Sequence, residues 1–161
     1  MTIEPAHLSS LTMKIPIESS AAKVWQALTE NIGTWWPDNF YAGGTEGQRN
    51  FHLETHPGGR MFESWGDGVG GVLWGNVVTV DPHKRLEILG SVFPSFGGPN
   101  QWFGTWDLDQ IDKDTCVLTF SESSLGRVSE ESVEDRDTGW TYLWNTMKAH
   151  IEGKPAPGWP E

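Results

Sequence analysis

The sequence predicts an α+β fold in a single domain: an antiparallel meander of strands with one long helix laid against it at the C-terminal end. Three observations predict this. From about Asn50 to Leu125, short apolar or alternating runs are separated by glycine and proline at the close spacing of hairpins rather than of crossover units. One long amphipathic stretch follows, from near Ser132 to Gly153. Ahead of the meander lie one strand-like run and signals for two short helices. The 161 residues suffice for one well-buried core and are too few for two comfortable ones.

Leu8 to Glu18 alternates loosely and reads as a strand, which Pro16 confines to a sheet edge or to the strand's end. Ser19 and Ser20 mark a helix start, after which Val24, Trp25, Leu28 and Ile32 recur at helical spacing until Asn31-Ile32-Gly33 supplies a stop. Trp35-Trp36-Pro37 adds a second turn or two, and Asn39 to Gln48 is a glycine-rich loop able to move.

Within the meander the clearest phase is Gln101 to Leu108. Trp102, Gly104, Trp106 and Leu108 share one face and Gln101, Thr105 and Asp107 the other, so Trp102 and Trp106 are expected to point inward. The same period puts Glu122 at the end of the apolar row Cys116, Leu118, Phe120. Between Val72 and Val80 both faces carry apolar residues, which leaves the phase of Trp74 and Asn76 open. No helix is expected inside the meander.

The last helix is expected to open near Ser132, with Glu134 and Asp135 in its first turn, and to close at Gly153 before Pro155. Val133, Arg136, Trp140, Leu143, Trp144, Met147 and Ile151 form its inner stripe, with Asp137, Asn145, Lys148 and Glu152 largely opposite. Gly139 costs this helix about 1 kcal/mol relative to alanine, which points to a close approach or a bend beside Trp140. The structured core is expected over about residues 8–153 of the domain 1–161, and the proline-rich tail 154–161 is expected to be extended and loose.

Composition limits the partners. Twenty-two acidic against eleven basic residues give a net charge of −11, which repels nucleic acid and anionic membrane surfaces. No stretch has the length of a membrane span, and no secretory leader is evident, so a cytoplasmic protein is expected. Cys116, the one cysteine, lies in an apolar run and reads as a packed, reduced thiol. Ten tryptophans, each able to bury roughly 150 to 250 Å², indicate a large aromatic interior that is either an open pocket or filled by the indoles themselves.

The order of elements, together with several short strings, carries a resemblance. Ala22-Lys23-Val24-Trp25-Gln26-Ala27-Leu28-Thr29 is followed by Trp35-Trp36, Pro57-Gly58-Gly59-Arg60, Gly75-Asn76-Val77, Asp81-Pro82, Arg85-Leu86 and Gly139-Trp140. This series resembles the family named for the activator of heat-shock protein 90 ATPase, within the START-like, or SRPBCC, superfamily typified by the birch pollen allergen. The resemblance implies a helix-grip fold, in which a curved antiparallel sheet of about six or seven strands wraps on the C-terminal helix and encloses a cavity. Each string also has a plain structural use, as turn or close-packing residues. The Asn39–Gln48 loop and the segment Phe93–Asn100 depart from the family pattern.

For such a cavity the expected wall is Trp65, Trp74, Trp102, Trp106, Phe120, Trp140, Leu143, Trp144 and Met147. Glu122, Glu63 and Arg136 are the polar residues expected nearest to it, as acid, base or charge stabiliser, or else as a structural ion pair. His52, Glu54 and His56 share a face only if their strand runs up to Pro57, and no zinc-type cysteine set accompanies them, so no metal is expected, nor any cofactor. Gly66 to Gly71 precedes a strand rather than a helix and reads as a hairpin, not a phosphate loop.

Three functions remain open at this stage: binding of a small hydrophobic or aromatic molecule, a cyclase, dehydratase or hydrolase using a cavity carboxylate, and a partner of the chaperone. The chaperone reading rests on the family label alone, and the co-chaperone's separate N-terminal domain has no counterpart in these residues. A homodimer formed through the sheet is also compatible with the pattern.

Overall fold

A computed structural model describes residues 3–160. Strand β1 (His7–Ile17) leads into α1 (Ala21–Leu28) and α2 (Ile32–Trp35); then come β2 (Arg49–Leu53), β3 (Arg60–Trp65), β4 (Gly70–Asp81), β5 (Arg85–Val92), β6 (Asn100–Asp112), β7 (Thr115–Gly126) and α3 (Glu130–Glu152). The strands form one curved antiparallel sheet in the order β1-β7-β6-β5-β4-β3-β2. β1 is an edge strand and Pro16 lies near its end, where a missing N–H disturbs no inner ladder.

Ser20 caps α1, its hydroxyl accepting from the Lys23 amide, and Val24, Trp25 and Leu28 turn inward as their spacing predicts. The Trp35 indole donates to the Ala27 carbonyl at 2.7 Å, which fastens α2 onto α1. The core then closes between the second half of α3 (Leu143, Trp144, Met147) and the inward row of the sheet (Leu86, Trp106, Leu118, Phe120), all of them buried. Inward phases of β6 and β7 are those expected, with Trp102, Gly104, Trp106 and Leu108 buried on one and Cys116, Leu118, Phe120 and Glu122 on the other.

Several expectations need correction. α3 opens at Glu130, capped by Ser129, with Ser132 at its third position; the Ser132 amide donates to Ser129 Oγ at 3.1 Å and the Ser129 amide to Ser132 Oγ at 2.9 Å. This is a capping box with serine where glutamate usually stands, so Glu130 and Glu131 occupy the first turn. A 3₁₀ turn at Pro94–Phe96 interrupts the meander, and another covers Asp38–Phe40.

At the other end of α3, the Glu152 side chain is buried rather than opposite the stripe, because its carboxylate accepts from the Glu18 amide at 2.8 Å and from Lys154 at 2.7 Å. In the tail expected to be loose, Trp159 packs its ring 4.9 Å from Tyr142 and 5.9 Å from Phe40.

The undecided phase of β4 has a simple cause. The pairing register shifts opposite Met61/Phe62 and again between Val77 and Thr79, so β4 breaks its two-residue period twice. At the first shift the Trp74 carbonyl turns out of the ladder and accepts the Trp102 indole N–H at 3.1 Å. Gly90 on β5 makes room for this contact: a Cβ there would lie 2.0 Å from Trp102 Nε1 and 2.2 Å from the Trp74 oxygen.

Candidate functional site

Beyond Leu143 towards its N-terminus, α3 is only half-buried, and between this half and the sheet lies a cavity of about 500 Å³. Ser132, Asp135, Arg136, Gly139 and Trp140 of α3 face Phe51, Met61, Trp74, Val92, Asn100, Trp102, Glu122 and Ser124 of the strands across it. Trp36, Phe40 and Phe96 close the sides. Of the two expectations for Gly139, the close approach is not found. A Cβ at this position would touch only Phe40 Cζ, at 3.8 Å, so the missing side chain leaves space in the cavity wall.

The expected wall therefore divides. Trp74, Trp102 and Trp140 line the cavity. Trp106, Phe120, Leu143, Trp144 and Met147 lie one layer further along α3, in the closed core, where Trp144 packs 5.0 Å from Phe120 and 6.1 Å from Trp106. Trp65 is also outside the cavity. Its ring lies over Gly43 and Gly44 of the loop before β2, where any Cβ would fall within 3 Å of it.

At the polar end, Glu122 is 4 % exposed and fully engaged. Oε1 accepts from Arg136 Nη1 at 2.7 Å and from Ser124 Oγ at 2.8 Å, and Oε2 accepts the Trp140 indole N–H. Arg136 is equally committed. Its Nε donates to the Ser132 carbonyl at 3.0 Å, Nη2 to Ser9 Oγ at 2.9 Å, and Nη1 to Ser124 Oγ besides Glu122. The cluster ties α3 to β1 and β7 with a buried, charge-assisted network.

Glu63 stands elsewhere. Three strands, β4, β5 and β6, separate β3 from β7, so the structure does not bring the two candidate carboxylates together. Glu63 is 1 % exposed and accepts the indole N–H of Trp65 at 2.7 Å, that of Trp74 at 2.9 Å, and the Ala42 amide at 3.1 Å. It holds one cavity tryptophan and the Asn39–Gln48 loop in place. Burial, then the carboxylates of Asp38 and Glu63, push the nearby Tyr41 phenol above its ordinary pKa and keep it protonated.

The remaining sequence candidates have structural roles. His52 bonds Ser64 Oγ at 2.8 Å and stacks on Phe62, Glu54 pairs with Arg60, and Gly66–Gly71 forms the turn and first residues of the β3–β4 hairpin. Sequence reasoning missed Trp36, Phe40, Phe51, Met61, Asn100 and Asp135 as cavity residues. Asn100 was accessible to it, since it precedes Trp102 by two on the same strand and so shares its inward face. Trp36 stacks on Phe51 with ring centroids 3.6 Å apart and meets Phe40 edge-on.

Curved sheet, gripping helix and the half-open cavity between them form a helix-grip fold of the START-like, or SRPBCC, kind. A family model described as Activator of Hsp90 ATPase homolog 1-like protein matches residues 18–152, and the chain belongs to that family. Among solved structures it is similar to the Mll3558 protein from Rhizobium loti, with 19% identity and a TM-score of 0.67 over 91% of this chain and 99% of that one. It is also similar to CalU16 from Micromonospora echinospora, with 18% identity and a TM-score of 0.61 over 95% of this chain and 86% of that one. Ara h 8.0201 shares 10% identity and a TM-score of 0.69 over 92% of this chain and 100% of its own. At these identities the likeness is one of fold. A search among curated proteins finds no significant match.

Proposed function

We propose that this protein binds a small hydrophobic or aromatic molecule in the cavity between the sheet and the first half of α3. The observation that carries the reading is the cavity itself: about 500 Å³, walled by Trp36, Phe51, Trp74, Trp102 and Trp140, with Asn100, Glu122, Ser124 and Arg136 among its polar residues. That volume and lining are typical of small-molecule sites. Cytoplasmic location fits the reading, and among the described residues no helix is long and apolar enough to cross a membrane.

The test is calorimetric titration of the protein and its Gly139→Leu variant with bicyclic aromatic compounds. Leucine at this position strengthens the helix by about 1 kcal/mol and extends a side chain into the void. Binding by the parent and its loss in an equally stable Gly139→Leu protein is the expected result. Equal uptake by both proteins would place the compounds elsewhere and end the proposal.

An enzymatic reading through Glu122 is weaker on the same geometry. Both carboxylate oxygens already accept hydrogen bonds, and Arg136 has its donors directed at protein atoms. The family's name invites a chaperone partner, to be checked by pull-down with the chaperone, but nothing in the cavity bears on it.

A further inference from the structure

Three of the cavity tryptophans direct the indole N–H at a protein acceptor: Trp74 at Glu63, Trp102 at the Trp74 carbonyl, and Trp140 at Glu122. An indole is positive at its edge and negative over its face, so a ring whose N–H is turned into the wall offers a guest its electron-rich part. Two of the acceptors are carboxylates, and a hydrogen bond to an anion polarises the donor ring further in that sense. Trp140 is the best placed of the three. One of its faces lies on Trp144 of the closed core, with planes 4° apart and centroids 5.4 Å apart. Phe120, 4.7 Å from Trp140 and 5.0 Å from Trp144, flanks that pair rather than capping it, which leaves the other face of Trp140 to the cavity. Among the described residues no protein cation covers a cavity tryptophan; the two cation–π contacts fall on Tyr41 and Phe62.

The charges around the cavity reinforce these ring faces. Both arginines of its wall are engaged, Arg136 by Glu122 and Arg127 by Glu4, whereas Asp135 at the rim makes no ion pair among the described residues. Glu63, buried behind Trp74, has none either, and Arg49 on the neighbouring strand is taken by Asp38. The first two turns of α3 carry Glu130, Glu131, Glu134, Asp135 and Asp137 against Arg136 alone, which outweighs the positive charge of about half a unit at a helix N-terminus. In a recess lined by rings such charges are screened less than on an open surface. An anion is repelled there and a neutral molecule gains nothing from the field, whereas a cation is attracted both by the carboxylates and by the rings. We infer that the cavity selects an organic cation, a substituted ammonium on an apolar body, with the ammonium against the open face of Trp140 and Asp135 as its counter-charge. Gly139, one turn from Asp135 on α3, leaves the space for it. This rests on the ligand-binding reading above and goes beyond it by naming the charge of the guest and its contacts.

The experiment follows tryptophan fluorescence at pH 7.5 during titration with three probes of similar shape: benzyltrimethylammonium, its neutral isostere neopentylbenzene in which carbon replaces nitrogen, and the anion phenylmethanesulfonate. The parent protein is expected to bind the cation roughly tenfold more tightly than the hydrocarbon, and the sulfonate most weakly. Asp135→Asn removes one charge from the rim while keeping its shape, and should cut the cation's lead about threefold. A second readout needs no variant. The methyl protons of bound benzyltrimethylammonium should move upfield, as protons held over an aromatic face do, and should show cross-relaxation with the Trp140 ring. A hydrocarbon bound as tightly as the cation, a sulfonate bound most tightly, an unchanged lead in Asp135→Asn, or methyl protons that do not move would overturn the inference while leaving the cavity reading intact. If none of the three probes binds, the cavity reading itself fails and takes the inference with it.

Discussion

The guanidinium of Arg136 lies 2.7 Å from the carboxylate of Glu122, joining the half-buried end of α3 to the floor of the sheet beside the cavity. Glu122 has almost no exposed surface, whereas Arg136 keeps about a quarter of its side chain in water. Removal of the arginine therefore strands a buried charge, which is a larger penalty than the pair's net contribution. Arg136→Ala should lower stability by about 3 kcal/mol, and the double change Glu122→Leu with Arg136→Met should recover much of the loss. Urea unfolding of the parent and the two variants checks this; a double variant no more stable than Arg136→Ala would contradict it.

Gly90 tolerates no side chain. Alanine would set a methyl group 2.0 Å from Trp102 Nε1 and 2.2 Å from the Trp74 carbonyl, so the hydrogen bond between the two cavity tryptophans must break or the strands must part. A loss of about 3 kcal/mol is expected, the upper range for overpacking. Thermal unfolding of Gly90→Ala indistinguishable from the parent would show that the cavity wall yields more easily than its contacts imply.

Glu63 acts on the loop before β2. Glu63→Gln replaces one carboxylate oxygen by an NH2 group, which cannot accept from the Ala42 amide or an indole, and should lower stability by about 1 to 3 kcal/mol. The sharper readout is hydrogen exchange. The Ala42 amide should lose protection in the variant while amides in the centre of β6 keep theirs; unchanged protection at Ala42 would remove Glu63 as the loop's anchor.

Acid should loosen the end of α3. Burial alone would raise the pKa of Glu152, but the Glu18 amide together with Lys154 and Lys148 outweighs it and holds the folded-state value below 4.5. A depressed carboxylate contributes its stabilisation in full above the unfolded-state value near 4.5 and loses it as pH falls through the folded one. Glu152→Gln should then be less stable than the parent by about 1 kcal/mol at pH 7, with the gap narrowing below pH 4.5. Denaturation curves at several pH values decide, and a gap as wide at pH 3 as at pH 7 would refute the linkage.

The architecture was legible where one face of an element is buried along its whole length. Trp102, Trp106, Leu118 and Phe120 keep strict alternation because β6 and β7 pair without a register shift through them, and Val24, Trp25 and Leu28 keep helical spacing because α1 buries one side. β4 was illegible because two register shifts break its period, and such shifts have no fixed sequence mark. The site was half legible for a related reason. Pattern tells which side chains point inward, so it named Trp102, Trp140, Glu122 and Arg136, while Trp74 entered the expected wall with its phase open; it cannot tell how far each lies along its element. Trp144 and Met147 point inward as well and meet the sheet directly, whereas one turn earlier Trp140 borders empty space. Trp36 and Phe40 reach the cavity from a connecting segment, where no period exists to read.

The place of β1 in the sheet has a consequence for biosynthesis. Among the described residues its one partner is β7, and Ser10 bonds Ser123, 113 positions further on. Every other pair of neighbouring strands is joined by a short connection, so each can zip as it leaves the ribosome. The first strand must wait: at roughly 5 to 20 residues per second, it stays single for about six to twenty seconds before its mate is translated. During that interval it is an open template for neighbouring nascent chains, and Lys14 and Pro16, both facing outward, are the residues placed to discourage them.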